Sequence, residues 1–426
     1  MARILWISDG GAHTGFARVT HAIGERLVTD YGHDIHVLAA NYRGDFWPGL
    51  RDPNVQPLKL YPTTGPLTTT GKDLYGASRI LELLGKIEPE IVIMLNDPQA
   101  LLNLFLRNTM DPGRVLLTYR PIIWYAPCDG TNLPSDWTTI LPNVTDVIGM
   151  SQWSVSHYSG ELAYHGIDPD EWWPVEERPI TTSTGVTLKT KADCKKAFGY
   201  DAADFLIGRV DTNSGRKDFA ATWKALVPVM RRHKHVKAHF HCSNRSNPAI
   251  NFDSMLSRDL VTADRFYTPG LKNDFEGWPQ QDMNALVNAF DLVVSTSRGE
   301  GFGFSNAEAL ACGVPVIAQN VSAIPEVVGP GGVLLEPQRL LTVPSGEDQW
   351  LADIDAFTDA VLDLYNSPTR RRDLGRKGVE HVRQNFQWDK TTGIFDSHIR
   401  SNIERYEAFV AAQASEPGSS DEEVTE

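Results

Sequence analysis

The sequence predicts an α/β protein made of two doubly wound parallel sheets, and three observations carry that prediction. Short β-branched runs alternate with amphipathic helical stretches along the ordered part of the chain. The 426 residues are enough for two or three domains, and the alternation breaks once, near the middle. Buried strands separated by helices describe parallel sheets covered on both faces. With 41% apolar and 22% charged residues each domain can bury a core, so collagen, coiled coil and wholesale disorder are excluded.

In chain order, strands are predicted at Arg3–Ser8, Asp34–Ala40, Glu90–Leu95, Pro121–Ala126 and Asp146–Ser151. A second series follows at Phe205–Val210, Val236–Cys242, Asp291–Thr296 and Pro315–Gln319. Helical patterns lie between them at Phe16–Asp30, Asp73–Lys86, Lys217–Arg232, Met283–Phe290 and Asp353–Tyr365. The break is the Thr-rich stretch Glu176–Thr190, which has no sustained periodicity. The expected organisation is therefore two Rossmann-like domains, 1–172 and 198–388, joined by a linker or insertion at 173–197. A last helix at 389–414 is free to pack on either domain, and an acidic tail, 415–426, is expected to be disordered.

Forty basic against 54 acidic side chains give −14, which argues against a protein that chiefly neutralises a nucleic-acid backbone. Residues 1–175 hold 12 basic and 19 acidic side chains, 176–390 hold 26 and 27, and 391–426 hold 2 and 8, so the basic residues concentrate in the second domain. No run is apolar enough to span a membrane and the start MARILWISDGG is not a signal peptide, so a soluble, cytoplasmic protein is expected. Cys128, Cys194, Cys242 and Cys312 lie far apart and read as buried thiols, with no metal site and no cofactor expected.

Ligands of open α/β sheets bind beyond the carboxyl ends of the strands, so the chemistry belongs in the strand-to-helix loops. The first strand ends in Gly10 and Gly11, where the backbone can approach a ligand beside a helix amino terminus; a tight turn explains them equally well. The most informative segment is DLVVSTSRGEGFGFSNAEALACGVP, Asp291–Pro315. A strand runs into a loop with Glu300, Gly301, Phe302, Gly303 and Phe304. Ser305 or Asn306 is expected to cap a short helix carrying Glu308 in its first turn. A carboxylate accepts two hydrogen bonds from vicinal hydroxyls, which suits Glu308 to a ribose and Glu300 to a hexose. Exposed amides and the helix amino terminus between them suit a diphosphate.

Two acidic residues separated by seven positions arise by chance about 7 times in a chain this acidic, but this pair brackets GFGFSNA between a strand and a helix. In that context the segment resembles the signature of the retaining glycosyltransferases of family 4, which have the GT-B fold. Gly208-Arg209-Val210 followed by Arg216-Lys217 is similar to the family's element whose Arg and Lys contact the donor diphosphate, with Arg209 and Arg216 both candidates for the closer contact. Met150–Trp153, Gly166–Pro169, Ile324–Val328, Gly331–Leu334 and Phe386–Asp389 resemble further landmarks in the family's order, so the resemblance covers about residues 1–400. It implies an enzyme that moves a hexosyl group from a nucleotide sugar to an acceptor hydroxyl, with Glu300, Arg216 and Lys217 central; with no His/Cys cluster to offer a metal site, catalysis is expected to be metal-independent.

The family usually places a His after a strand of the first domain; here Pro127-Cys128-Asp129-Gly130 stands there, and Asp129 either takes that place or forms only a turn. Asn96-Asp97-Pro98 is a similar acceptor-side candidate. TGFARV and YAPCDG resemble a bacterial and phage subgroup, whose enzymes can glycosylate virion proteins or modified DNA bases. The acceptor, whether protein, modified nucleic acid or small molecule, is not fixed by the sequence. A nucleotide-sugar epimerase on the same fold and a catalytically silent sugar- or nucleic-acid-binding module are the alternatives.

Overall fold

The computed structural model describes residues 1–11, 14–40, 42, 57–63, 76–102, 120–242, 250–269 and 277–415. The first half holds β1 (Arg3–Asp9), α1 (Gly15–Thr29), β2 (Asp34–Ala40), β3 (Lys59–Pro62), α2 (Ala77–Ile87), β4 (Ile91–Met94), β5 (Ile122–Ala126), β6 (Asp146–Gly149), α3 (Gln152–Tyr158) and β7 (Glu161–Leu162). Its seven strands are ordered β3-β2-β1-β4-β5-β6-β7, and every pairing is parallel. Every residue of β1 after Arg3 is buried, which is why the strand reads as a continuous apolar run rather than an alternating one. The order reverses between β1 and β4, so a crevice opens beyond their carboxyl ends.

A short antiparallel hairpin, β8 (Ile180–Thr181) and β9 (Thr187–Leu188), occupies the stretch in which the sequence showed no periodicity. It leads into α4 (Lys191–Ala197), which starts with a capping box between Thr190 and Asp193. The second sheet is built from β10 (Phe205–Val210), α5 (Phe219–Arg232), β11 (Val236–His241), α6 (Phe252–Asp259), β12 (Phe266–Tyr267), α7 (Gln280–Ala289), β13 (Leu292–Ser295), α8 (Phe304–Ala311), β14 (Val316–Gln319), α9 (Ile324–Val328) and β15 (Gly332–Leu335). It too is parallel, with order β12-β11-β10-β13-β14-β15 and its own reversal between β10 and β13.

The chain continues through a second hairpin, β16 (Pro337–Thr342) and β17 (Asp348–Ala352), then α10 (Ile354–Asn366), α11 (Pro368–Asn385) and α12 (Trp388–Ser415). α12 lies on the first sheet. Phe395 packs between Trp6 and Tyr125, with ring centroids 5.7 and 5.0 Å away, and Asp396 pairs with the buried His33 at 2.7 Å. The halves are also joined at β17, where Thr131 and Asp348 exchange two backbone hydrogen bonds of 2.8 Å. Glu326 accepts from the backbone of Gln152 and Trp153 at 2.7 and 2.8 Å, an acidic cap on the amino end of α3 supplied by the other domain.

The helix expected over Asp73–Lys86 begins at Ala77, and residues 73–75 lie outside the described residues, as do 416–426 of the expected tail. All four cysteines are buried and free. No helix among the described residues is long and apolar enough to cross a membrane.

Candidate functional site

A cavity of about 800 Å³ lies between the two sheets. On its second-domain side β10 ends at Val210, and the following loop brings Asp211, Arg216 and Lys217 to the cavity. The loop after β13 brings Glu300 against them. Lys217 Nζ lies 2.6 Å from Glu300 Oε1 and 2.7 Å from Asp211 Oδ1, and Arg216 Nη1 lies 2.8 Å from Glu300 Oε2. Burial alone would raise the Glu300 carboxyl; Arg216 and Lys217 outweigh it and hold Glu300 well below the ordinary carboxylate range. Its backbone is fixed as well, because Glu300 N–H donates to Ser322 Oγ at 2.8 Å.

Two glycines of this loop are required by its shape. At Gly299 a Cβ would collide with the Asp129 carbonyl of the first domain, so only glycine lets the two loops meet. Gly303 has φ 99° and is the N-cap of α8. This corrects the expected cap: neither Ser305 nor Asn306 caps the helix, which starts at Phe304, and Glu308 falls in its second turn. Gly301, Phe302, Gly303 and Phe304 all line the cavity; Asn306 N–H donates to the Gly303 carbonyl at 3.1 Å, and the Phe304 and Ser305 amides before it have no carbonyl a turn earlier to bond. Glu308 lines the same wall, buried, and pairs with Arg18, reached from α1 of the first domain. The Arg18 guanidinium also lies 5.1 Å from the Phe304 ring centre.

Three expected donor residues fall elsewhere. Arg209 is 1% exposed and does not line the cavity. It donates to Thr222 Oγ1, Thr296 Oγ1, Ser297 Oγ and the Lys217 carbonyl, and its guanidinium lies 4.4 Å from the Phe219 ring centre. It thus ties the Lys217 loop to the loop after β13 from behind, and of the two it is Arg216 that faces the cavity. Gly10 and Gly11 are also absent from the lining. A Cβ at Gly10 would lie 3.2 Å from Ala39 and Val37, and one at Gly11 would enter the Tyr42 ring, so close packing accounts for both.

The first-domain wall is acidic. Asp9 ends β1, and Asp97 and Asp129 follow β4 and β5, its neighbours in the sheet; all three reach the cavity. Asp9 Oδ2 accepts from Thr14 Oγ1 at 2.6 Å, and Thr14 in turn caps α1 by accepting from Ala17 N–H at 3.1 Å. Asp129 Oδ2 lies 3.1 Å from Arg216 Nε. Asp97 is accessible to solvent yet sits in a recess surrounded by protein; that enclosure, with Asp129 beside it, pushes its carboxyl up to about 7. Asp129 is raised too, by burial and by Glu300, against the opposing pull of Arg216. Among the described residues no three His, Cys, Asp or Glu side chains are arranged to hold a metal ion.

Sequence reasoning passed over two cavity residues. Arg18 sits 290 positions from its partner Glu308. His165 follows β7 and stacks on Phe304 with ring centres 4.9 Å apart. Burial pushes its imidazole down to about 3, so it is neutral. The Tyr125 hydroxyl gives its one proton to the Ala163 carbonyl at 2.7 Å, so the His165 Nδ1 at 2.7 Å from that hydroxyl is the N–H side, which makes Nε2 the acceptor. Arg18 lies within TGFARV, which stands out for its subgroup resemblance rather than for any chemistry, and His165 belongs to no motif.

Residues 205–367 match the family glycosyl transferases group 1. That match falls within the second domain. The D-inositol 3-phosphate glycosyltransferase of Arthrobacter sp. is 30% identical over 263 residues, 59% of this chain and 53% of that protein. Two solved structures align with nearly the whole chain. Sucrose-phosphate synthase from Thermosynechococcus elongatus has a TM-score of 0.67 at 17% identity, covering 95% of this chain and all of that one. Anabaena HepE in complex with UDP and glucose has 0.66 at 16% identity, covering 94% and 100%. The fold is GT-B, with the second domain and an N-terminal Rossmann-like domain facing across the cavity. The chain spans only 28% to 55% of the length of the first curated relatives it matches.

Proposed function

We propose that the protein is a retaining glycosyltransferase that moves a hexosyl group from a nucleoside-diphosphate sugar to an acceptor hydroxyl. The observation that carries this reading is the Glu300 carboxylate clasped by Arg216 and Lys217 beside the amino end of α8, with Glu308 further along the same helix. Two cations beside an unsatisfied helix terminus suit a diphosphate, and two carboxylates on either side of it suit the sugar and the ribose. The UDP and glucose in the HepE structure have that chemistry.

The bond from the sugar's anomeric carbon to the diphosphate oxygen breaks, and the acceptor oxygen bonds to that carbon on the same face. The acceptor's proton passes to the leaving phosphate oxygen. Arg216 and Lys217 neutralise the charge that grows on the diphosphate, Glu300 and the Gly301, Phe302, Gly303 and Phe304 backbone orient the sugar, and Glu308 holds the ribose. Asp129 and Asp97 stand on the acceptor side, where a carboxylate oxygen can receive a hydroxyl hydrogen. Two cations already serve the leaving group, so the reaction is metal-independent.

The test is a panel of UDP-, GDP- and ADP-sugars. A cognate donor at 100 times its Kd stabilises the protein by about 2.7 kcal/mol, and the same donor is consumed at a rate that EDTA leaves unchanged. A panel with no stabilising member refutes the reading, and an epimerised donor in the absence of acceptor replaces it with the epimerase.

A further inference from the structure

Two ion pairs cross the cavity from the first domain, and each ends on a second-domain group to which the proposed function assigns part of the donor. Arg18 of α1 pairs with Glu308, assigned to the ribose. Asp129, after β5, pairs with Arg216 at 3.1 Å, assigned to the diphosphate. The chemistry matches at both ends. A guanidinium presents N–H donors to the carboxylate that would receive ribose hydroxyls, and a carboxylate presents anionic oxygens to the guanidinium that would receive phosphate.

We propose, resting on that reading of the donor site, that Arg18 and Asp129 are intramolecular stand-ins for the donor. The nucleoside diphosphate binds by displacing Arg18 from Glu308 and Asp129 from Arg216. Both residues are then part of donor selection, although both belong to the domain opposite the nucleotide.

The surroundings fit an exchange rather than a permanent clasp. The Arg18 side chain keeps 38% of its surface exposed against 6% for Glu308, whereas Asp129 and Arg216 are about equally exposed, at 26% and 29%. Arg18 can therefore swing into solvent while Glu308 stays in place. Arg216 is already held by Glu300 at 2.8 Å, so losing Asp129 leaves it paired and positioned. Lys217 is held by Glu300 and Asp211, both of its own domain, and takes no part in the exchange.

The two displacements are separable because they concern different parts of the nucleotide. Asp129→Asn removes the anion that competes with phosphate. It is expected to tighten binding of a nucleoside diphosphate by about 5-fold or more and to leave binding of the bare nucleoside unchanged. Arg18→Gln removes the cation that competes for Glu308, and is expected to tighten the nucleoside and the diphosphate alike. A residue that merely braces the fold would move both ligands in both variants, or neither.

The experiment is calorimetric titration of wild type and the two variants with UDP, GDP and ADP and with uridine, guanosine and adenosine. Far-UV circular dichroism checks folding, and Arg18→Met and Asp129→Ser replace a variant that fails to fold. Weaker or unchanged diphosphate binding in both variants overturns the exchange while leaving the donor site standing. If no nucleotide binds wild type or variants, the donor-site reading itself falls.

Discussion

The two walls of the cavity are built on opposite plans. On the second-domain wall the charges of the described residues are matched: Lys217 between Asp211 and Glu300, Arg216 on Glu300, and Arg209 behind them with hydrogen bonds to both loops. On the first-domain wall three aspartates stand on adjacent strands, and Asp97 makes no hydrogen bond or ion pair with its side chain among the described residues. A matched buried network keeps a fixed geometry, because moving one member exposes an unpaired charge. An unmatched carboxyl at a cavity wall has hydrogen-bonding capacity left for a ligand. The contrast assigns precision to the donor side and adaptability to the acceptor side.

The largest expected effect tests whether the matched network is structural at its base. Arg209→Met removes one partner from a buried, multiply bonded guanidinium site. It is expected to cost about 3–5 kcal/mol, read as a lower urea midpoint for the second domain. An unchanged midpoint with a lower kcat would instead make Arg209 a donor contact and erase the distinction between it and Arg216.

Lys217→Ala is expected to do the reverse. Its ammonium faces the cavity, so its loss should lower kcat by about 100- to 1000-fold, the usual cost of one group that stabilises developing charge. Unfolding should change less than in the Arg209 variant, because Glu300 keeps Arg216. A kcat within a few-fold of wild type sinks the leaving-group assignment.

The matched wall was also the legible one. Strand β10 was predicted at Phe205–Val210 and is found there, and the loop carrying Glu300 was placed between a strand and a helix, because a buried parallel strand is a contiguous apolar run and its glycine-rich loop is local. What escaped was non-local or polar. The helix α11, PTRRRDLGRKGVEHVRQN, buries only Gly375, Gly378, Val379 and Val382, too thin an apolar stripe to announce itself. The β16–β17 hairpin is largely exposed along β16, so it lacks the burial that makes a strand readable. Arg209 looked like a ligand contact because its type fits phosphate; only the fold shows that a strand residue at that position turns to Thr222 and Thr296 instead. Arg18 reads as one polar residue of an amphipathic helix until the second domain brings Glu308 to it.

The smallest expected effect probes Asp97 on the first-domain wall through pH. With its carboxyl raised to about 7, Asp97 is half protonated near neutrality. A protonated carboxyl donates its one hydrogen, whereas the carboxylate receives the acceptor hydroxyl's hydrogen. Transfer measured as kcat/KM should therefore rise as pH increases through about 7, up to about tenfold per pH unit below it, and Asp97→Asn should flatten that limb. Stability should run the opposite way. A carboxyl raised above its unfolded value binds more protons when folded, so its contribution is present in acid and is lost as pH rises through about 7. Asp97→Asn, which cannot ionise, should remove that fall as well. If the rising limb persists in Asp97→Asn, it belongs to another group, and Asp129, raised by burial and by Glu300 on the same wall, is the next residue to change.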